Sequence, residues 1–301
     1  EAFDTIKDEY YLDIKDEELV NGAINGMLDS LDDPYSDYMN EEETASFQER
    51  ISSSFEGIGA EIQQKDNQII VVSPIKGSPA EEAGLKANDI ILSVDGESLE
   101  GLSSTEAVSL IRGEKGSKVK LSIKRGEADP FEVEITRDTI PVDTVYAEMR
   151  EGNVAHIQVT SFSEHTSDEL MDALEEMKSK GMKGLVLDFR GNPGGIMKEA
   201  IDIASLFVPK GETLFQVEYK NGAKDVIESE NSSPFSFPVA ILVDDGSASA
   251  SEIVAAAVQE TTDIPIVGIK TFGKGTVQTA KNLDDGSNLK YTSAKWLTPE
   301  G

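Results

Sequence analysis

Cysteine and histidine are the residue types that this sequence lacks or nearly lacks. Among 301 residues there is no cysteine, and there are only two histidines. No disulfide and no thiolate nucleophile can therefore form, and His156 and His165 lie in no spacing typical of metal ligands. We interpret both histidines as structural, and we expect no metal and no cofactor.

Basic residues are also scarce, because 27 lysines and arginines stand against 57 aspartates and glutamates, for a formal net charge of −30. A chain with this charge repels phosphates and anionic headgroups, so we expect no nucleic-acid partner. No apolar run is long enough to span a bilayer. Hydrophobic residues still make up 38% of the chain, which is enough for two or three globular cores.

Apolar periodicity divides the chain into three predicted domains, at residues 1–50, 55–137 and 138–301. The first is helical, and its helix near residues 16–31 carries an apolar face that needs a cover. Either the body of the protein or a second copy can supply that cover, and we expect a homodimer. The second domain alternates short strands with a helix at 104–111.

From residue 138 the pattern predicts an α/β fold. The apolar runs 184–190 and 239–243 are typical of buried strands, and helical stretches separate them, which predicts a sheet covered on both faces. Thr166 and Glu169 have the spacing of a capping box at the start of one such helix. We expect the chain to be truncated at its C-terminal end, because a turn with nothing after it follows the strand at 288–297.

Three serines, Ser247, Ser249 and Ser251, stand between the second buried strand and an alanine-rich helix. A nucleophile at such a junction is exposed at the sheet edge, and the N–H groups of the helix start can stabilise an oxyanion. Serines at this position also serve as turn residues and helix N-caps. The residues alone leave both interpretations open.

Lys274 lies between two glycines after a further predicted strand. Burial lowers the pKa of a lysine, and a neutral amine can accept a serine proton while Gln278 orients it. An exposed lysine in a glycine-rich hairpin remains an alternative. Residues 268–274 also match the first seven positions of a phosphate-binding P-loop, but Gly275 stands where Ser or Thr is required and the next residues favour a strand.

A third loop, DFRGNPGG at 188–195, follows the first buried strand. Consecutive glycines can direct N–H groups at an anion, although Asn-Pro and Gly-Gly also mark ordinary tight turns. In parallel sheets, functional loops lie at the carboxyl ends of strands.

Four segments together resemble the carboxy-terminal processing, or tail-specific, peptidases: FEGIGA at 55–60, RGNPGG at 190–195, GSASASE at 246–252 and TFGKGTVQ at 271–278. The resemblance covers essentially the whole chain. It implies a core akin to the crotonase and Clp-protease folds, with an inserted PDZ domain. It also implies roles for five residues, namely a nucleophile, a base, an orienting amide and two oxyanion-hole amides: Ser249, Lys274, Gln278, Gly195 and Ala250.

The PDZ assignment has its own physical basis. The turn formed by Gly57, Ile58, Gly59 and Ala60 can hold a terminal carboxylate, and the strand after it offers an edge to an added peptide strand. A β-rich spacer domain is the alternative. Arg112 follows the PDZ helix, either as a solvated helix-terminal residue or as a link between peptide occupancy and docking on the protease core.

We therefore predict a serine endopeptidase that recognises exposed apolar C-termini of protein substrates and cuts upstream of them. The alternative is a non-catalytic peptide-binding scaffold that keeps the PDZ groove. Resemblance to the bacterial secreted branch predicts an extracytoplasmic location, reached through a signal peptide or anchor that precedes Glu1.

Overall fold

A computed structural model of the chain describes residues 1–232 and 235–301. The chain divides into two compact units: Glu1–Ser52 with Asp143–Gly301, and Ser53–Val142. Within the described residues, no helix combines the length and the apolar character needed to cross a membrane.

The first unit begins with three helices and one short strand, in the order α1 (Ala2–Glu9), α2 (Asp16–Asp29), β1 (Asp37–Met39) and α3 (Glu41–Ser52). The helices agree with the sequence analysis, but the strand was not predicted. Three residues are too few for a periodic signal, and β1 exists because it pairs with a strand near the other end of the chain.

The second unit consists of β2 (Ser54–Gly57), β3 (Ala60–Lys65), β4 (Gln68–Pro74), α4 (Pro79–Glu82), β5 (Ile90–Val94), β6 (Glu97–Ser98), α5 (Ser104–Ile111), β7 (Lys118–Lys124), β8 (Phe131–Thr136) and β9 (Asp138–Pro141). Its main antiparallel sheet has the order β3-β4-β5-β7-β8, so β3 is an edge strand. Helix α5 begins at the capping box of Ser103 and Glu106 and buries Ala107 and Ile111. The alternating apolar residues of β4, β5 and β7 form this unit's own core.

The rest of the first unit comprises β10 (Val145–Arg150), β11 (Val154–Val159), α6 (Thr166–Ser179), β12 (Gly184–Asp188), α7 (Met197–Ser205), β13 (Thr213–Tyr219), β14 (Lys224–Glu228), β15 (Val239–Val243), α8 (Ala250–Thr261), β16 (Ile266–Gly268), β17 (Thr276–Asn282) and β18 (Asn288–Leu297). One sheet has the order β10-β11-β12-β15-β16 and is parallel from β11 onward. The other has the order β1-β18-β13-β14, with β17 also paired to β18. Helices α6, α7 and α8 contribute to the buried core with β11, β12, β13 and β15.

The predicted capping box of α6 is wrong. The N-cap of α6 is His165, which has a φ of 73°. The Glu169 carboxylate instead accepts hydrogen bonds from Thr144 N and Oγ1 and from Val145 N, at 2.7, 2.9 and 3.1 Å. Glu169 therefore bonds to residues at the start of β10 and not to the N-terminal residues of its own helix.

Candidate active site

Three loops meet at the carboxyl edge of the parallel sheet, because β12, β15 and β16 are neighbouring parallel strands. The RGNPGG, GSASASE and TFGKGTVQ segments follow these strands in turn. Backbone bonds join the loops: Ala248 N donates to Asn192 O at 3.0 Å, and Phe272 N donates to Ser247 O at 3.0 Å. Segments far apart in the sequence thus form one site.

Hydrogen bonding distinguishes the three serines. The buried Ser247 Oγ donates to Phe189 O at 2.8 Å and accepts from Asp244 N, and the buried Ser251 Oγ donates to Asn192 O at 3.0 Å. Both are therefore structural. Ser249 is half-buried and precedes α8, with φ 52° and ψ −112°. A non-glycine residue held there costs about 1–3 kcal/mol and is typical of functional sites.

The predicted oxyanion donors lie beside Ser249. Phe162 N donates to Gly194 O at 3.0 Å and Ile196 N donates to Phe162 O at 2.7 Å, so the backbone of Gly195 between them turns its N–H away from Phe162. Ala250 is the first residue of α8, and its N–H belongs to the electropositive end of that helix. A Cβ on Gly194 would lie 2.9 Å from both Ala250 N and Ser249 Cβ, which shows how closely the two loops approach.

Two polar residues that the sequence analysis missed hold these loops together. Asn192 is fully buried, donates from Nδ2 to Val159 O at 2.8 Å and accepts from Gly194 N at 2.9 Å. Asp244 accepts from Gly191 N at 2.8 Å and from Gly246 N at 3.0 Å, and the bond from Gly191 is the main reason that its pKa is lowered. In the sequence both stand only as polar residues of turns, and the partners Val159 and Gly191 that reveal their roles lie about 33 and 53 residues away.

A further ionic cluster braces the same loop. Burial alone would raise the pKa of Asp188, but hydrogen bonds from Arg190 and His156 outweigh it and bring that pKa to about 2. Arg190 bonds both carboxylate oxygens, at 2.9 and 2.6 Å, and His156 Nε2 lies 3.0 Å from Oδ2. His156 therefore lies in this brace, whereas the exposed His165 ends near Asp168 on the surface.

Lys274 is half-buried, and its Nζ lies 4.6 Å from the centre of the Tyr35 ring. Burial lowers the pKa of this lysine, the positive charge of Lys290 lowers it further, and Asp33 opposes both by raising it. Tyr35 and Asp33 belong to residues 1–52, which we call the N-terminal segment. Ser36 of this segment accepts a hydrogen bond from Thr292 N at 3.1 Å and so anchors it to β18. No local pattern in the sequence predicts that these residues lie near the lysine.

The structure places the remaining predicted residue, Gln278, on β17, where its Nε2 donates to Thr276 and Thr292 hydroxyls at 2.9 and 3.1 Å. Across residues 1–232 and 235–301, no hydrogen bond joins Ser249 Oγ to Lys274 Nζ or Gln278 to that amine. A strand follows Gly275, so the chain lacks the helix that a P-loop requires there.

The predicted peptide-binding turn lies in the other unit. Ala80 N donates to Ile58 O at 2.8 Å, while Ile75 N and Ser78 Oγ donate to Gly59 O at 2.9 and 2.8 Å. These bonds fix the turn between Gly57 and Ala60, from which the edge strand β3 continues. A Cβ on Gly59, whose φ is 74°, would lie 2.4 Å from Ser78 Cβ.

Arg112 is the C-cap of α5, and its guanidinium lies 4.5 Å from the centre of the Phe55 ring. A Cβ on Gly57 would lie 3.6 Å from Arg112 Cγ. The arginine therefore packs beside the peptide-binding turn of its own unit.

Comparison with known sequence families gives three matches: residues 153–301 match Peptidase family S41, residues 70–125 match the PDZ domain, and residues 1–44 match the activating protease CtpB N-terminal domain. The chain is 55% identical over 300 residues to carboxy-terminal processing protease CtpA of Bacillus subtilis, across 100% of this chain and 64% of that protein. It is 45% identical over 304 residues to CtpB of the same organism, across 100% of this chain and 63% of that protein. It thus spans a little less than two thirds of these relatives.

Two solved structures have a similar fold. The photosystem II D1 C-terminal processing protease is 29% identical, with a TM-score of 0.56, over 99% of this chain and 81% of that one. A putative S41 protease from Bacteroides fragilis is 20% identical, with a TM-score of 0.52, over 90% of this chain and 76% of that one, which is a likeness of fold alone. The predicted α/β fold with a PDZ domain is confirmed.

Proposed function

Because the chain belongs to the carboxy-terminal processing peptidases of family S41, we propose that it is a serine endopeptidase that recognises protein C-termini through its PDZ domain and cuts upstream of them. The supporting observation is the placement of Ser249. It occupies a strained turn at the N-terminus of α8 beside the glycines of the RGNPGG loop, whereas Ser247 and Ser251 are engaged in buried hydrogen bonds.

In the proposed mechanism, Ser249 Oγ attacks the scissile carbonyl while the neutral Lys274 amine takes its proton. The N–H groups of Gly195 and Ala250 stabilise the oxyanion of the tetrahedral intermediate. Lys274 then returns the proton to the leaving amine, which leaves the acyl group on Ser249 Oγ. Lys274 next takes a proton from a water molecule that attacks the acyl carbonyl, the bond between that carbonyl and Ser249 Oγ breaks, and the proton passes to Oγ. The Lys274 side chain turns from the Tyr35 ring toward Ser249 for these steps, and Gln278 orients it there.

The test uses an unfolded protein substrate with a free apolar C-terminus. We expect wild type to cleave it, and Ser249→Ala and Lys274→Ala to reduce kcat by several orders of magnitude without changing the melting temperature much. Ser247→Ala is the matched control: it loses the hydrogen bonds of its hydroxyl to Phe189 O, Asp244 N and Asp244 Oδ1, which costs about 1–3 kcal/mol of stability, but it keeps the candidate nucleophile. Full activity of Ser249→Ala would refute the assignment. Binding without any cleavage by wild type would favour the non-catalytic scaffold.

We propose that substrates add a strand to the edge of β3 and place their terminal carboxylate in the turn of Gly57, Ile58, Gly59 and Ala60. Support comes from the carbonyls of Ile58 and Gly59, which accept hydrogen bonds from donors of the same unit that include Ala80 N and Ile75 N. These bonds hold the turn in place for a peptide terminus. A substrate amidated at its C-terminus should be cut more slowly than the free acid, mainly through a higher KM. Equal rates would argue against a carboxylate-reading role.

We also propose that Arg112 links peptide occupancy of the PDZ domain to docking on the protease core. Its support is the stacking on Phe55 beside the peptide-binding turn. Arg112→Ala should change turnover of protein substrates while the melting temperature stays nearly constant. Unchanged turnover would leave Arg112 with a structural role in its own unit.

Two features of the whole protein are further proposals. A homodimer is supported by exposed apolar residues on the N-terminal segment, including Tyr11 at 85% and Met27 at 63% exposure. Light scattering of wild type beside a Tyr11→Glu/Met27→Glu variant tests it, and a monomeric wild type would exclude it. An extracytoplasmic location is supported by the family resemblance, and recovery from the cytosol alone would contradict it.

A further inference from the structure

Glu252 joins the serine loop to the lysine loop through four hydrogen bonds. Its Oε2 accepts from Ser249 N at 2.8 Å and from Lys274 N at 3.0 Å. Its Oε1 accepts from Thr271 Oγ1 at 2.8 Å and from Gly273 N at 2.7 Å. The side chain is 7% exposed. A carboxylate offers about four acceptor positions, so this one group is saturated by the two loops.

Helix capping explains only one of these bonds. A glutamate at the third position of a helix commonly accepts from the N-cap N–H, as Glu252 does from Ser249. The other three donors belong to residues 271–274, which are not part of α8 and which follow β16. The carboxylate therefore has a second function besides starting the helix.

The bond to Ser249 bears on an unfavourable backbone conformation. With φ 52° and ψ −112°, the residue needs external contacts to stay in place, and Glu252 Oε2 holds its N–H from one side. Because the same oxygen holds Lys274 N, it fixes the backbones of the nucleophile and the lysine relative to each other. These bonds act on the backbones of the two residues and leave the Ser249 hydroxyl and the Lys274 amine outside the contact.

We propose that Glu252 is a positioning residue that sets the distance between Ser249 and Lys274 for proton transfer, an inference that rests on the peptidase function proposed above. It acts through the two backbone amides and does not touch substrate. Its contribution should appear in kcat, because small displacements of reacting groups can cost about 10²-fold in rate, whereas the peptide-binding turn and hence KM are untouched.

The test compares Glu252→Gln with Glu169→Gln. The glutamine at 252 keeps one acceptor oxygen but turns an NH₂ group toward two donors, so two of the four bonds are lost. Glu169 is the matched control, because its carboxylate also accepts three hydrogen bonds near the start of a helix in the same unit, at Thr144 and Val145. We expect kcat of Glu252→Gln to fall by about 10–100-fold at nearly constant KM, and both parameters of Glu169→Gln to stay within about twofold of wild type.

A second readout does not depend on activity. Loss of a hydrogen bond to a charged acceptor should speed hydrogen–deuterium exchange in residues 271–274 and at Ser249 by about tenfold or more in Glu252→Gln, and not in Glu169→Gln. Unchanged exchange, or equal loss of kcat in both variants, would overturn the role of Glu252. If exchange is faster in Glu252→Gln than in wild type but wild type cleaves no substrate, the proposed function fails while the coupling of the two loops by Glu252 stands.

Discussion

A methyl group on Gly194 would enter the candidate oxyanion site. The Cβ of Gly194→Ala would lie 2.6 Å from Ala248 O and 2.9 Å from both Ala250 N and Ser249 Cβ. Two of these atoms are backbone, so no side-chain rotation can relieve the contacts. The loop must shift, and with it the N–H of Ala250 or the position of the nucleophile.

The magnitude separates an effect on catalysis from an effect on folding. Gly194 has a φ of 95°, and the backbone strain of an alanine there costs about 1–3 kcal/mol of stability, to which the shift of the loop adds. Domains are commonly stable by about 5–15 kcal/mol, so most molecules stay folded. Loss of one oxyanion donor lowers kcat by about 10²–10³-fold, which corresponds to about 3–4 kcal/mol in the transition state. Activity should therefore fall far more than the folded fraction.

Gly191→Ala is the control because it lies in the same loop, has a φ of 69° and would place its Cβ within 4 Å of no other atom. Both variants carry a positive-φ alanine, and only one intrudes on Ser249. The assay measures kcat and KM on a peptide substrate, with the melting temperature of each variant. A Gly194→Ala kcat within about threefold of the Gly191→Ala value would refute the proposed oxyanion geometry.

Two further predictions concern pH. In the proposed mechanism the Lys274 amine acts in its neutral form. Lys290→Met removes a charge that lowers the pKa of Lys274, so it should move the rising limb of the kcat–pH profile to higher pH. Asp33→Asn removes a charge that raises the pKa of Lys274, so it should move the rising limb of the kcat–pH profile to lower pH. If both variants shift the limb in the same direction, Lys274 is not the group that titrates there. The interactions that lower the pKa of Asp188 to about 2 stabilise the folded state by about 2 kcal/mol above about pH 4. This contribution is lost as the pH falls toward 2 and the carboxylate is protonated. When the free energy of unfolding is measured with urea at several pH values, Asp188→Asn should lack this loss of stability between about pH 4 and pH 2. If the variant loses as much stability as wild type over this range, the Asp188 carboxyl is not its source.

Local sequence signals predict the elements that carry the three loops. The runs at β12 and β15 are apolar and bounded by turn residues, and the serines and glycines stand directly after them. The short β1 gave no such signal, because its partners are residues 288–290 on β18. The capping box proposed for α6 failed for the same reason, since Glu169 has better donors at Thr144 than at its own helix.

The choice among the three serines also needs the tertiary structure. Sequence leaves Ser247, Ser249 and Ser251 equivalent as turn residues. Their environments differ because Phe189 O and Asn192 O, from a loop about 60 residues earlier, accept the outer two hydroxyls. Family resemblance selects Ser249, and the hydrogen-bond pattern gives an independent physical reason for it.

Several hydrogen bonds hold the backbone of the candidate site, whereas the Lys274 amine lies against an aromatic ring. The side chains of Asn192, Asp244 and Glu252 hold the serine and glycine loops by accepting hydrogen bonds from the backbone N–H groups of Gly194, Gly191 and Ser249. Lys274 differs, because its amine rests on the Tyr35 ring, a contact worth about 0.5–2 kcal/mol. A difference of that size changes a two-state population by only about 2–30-fold, so the proposed turn of the amine toward Ser249 requires only a small free energy. Because Tyr35 belongs to the N-terminal segment, that segment takes part in setting the state of the lysine.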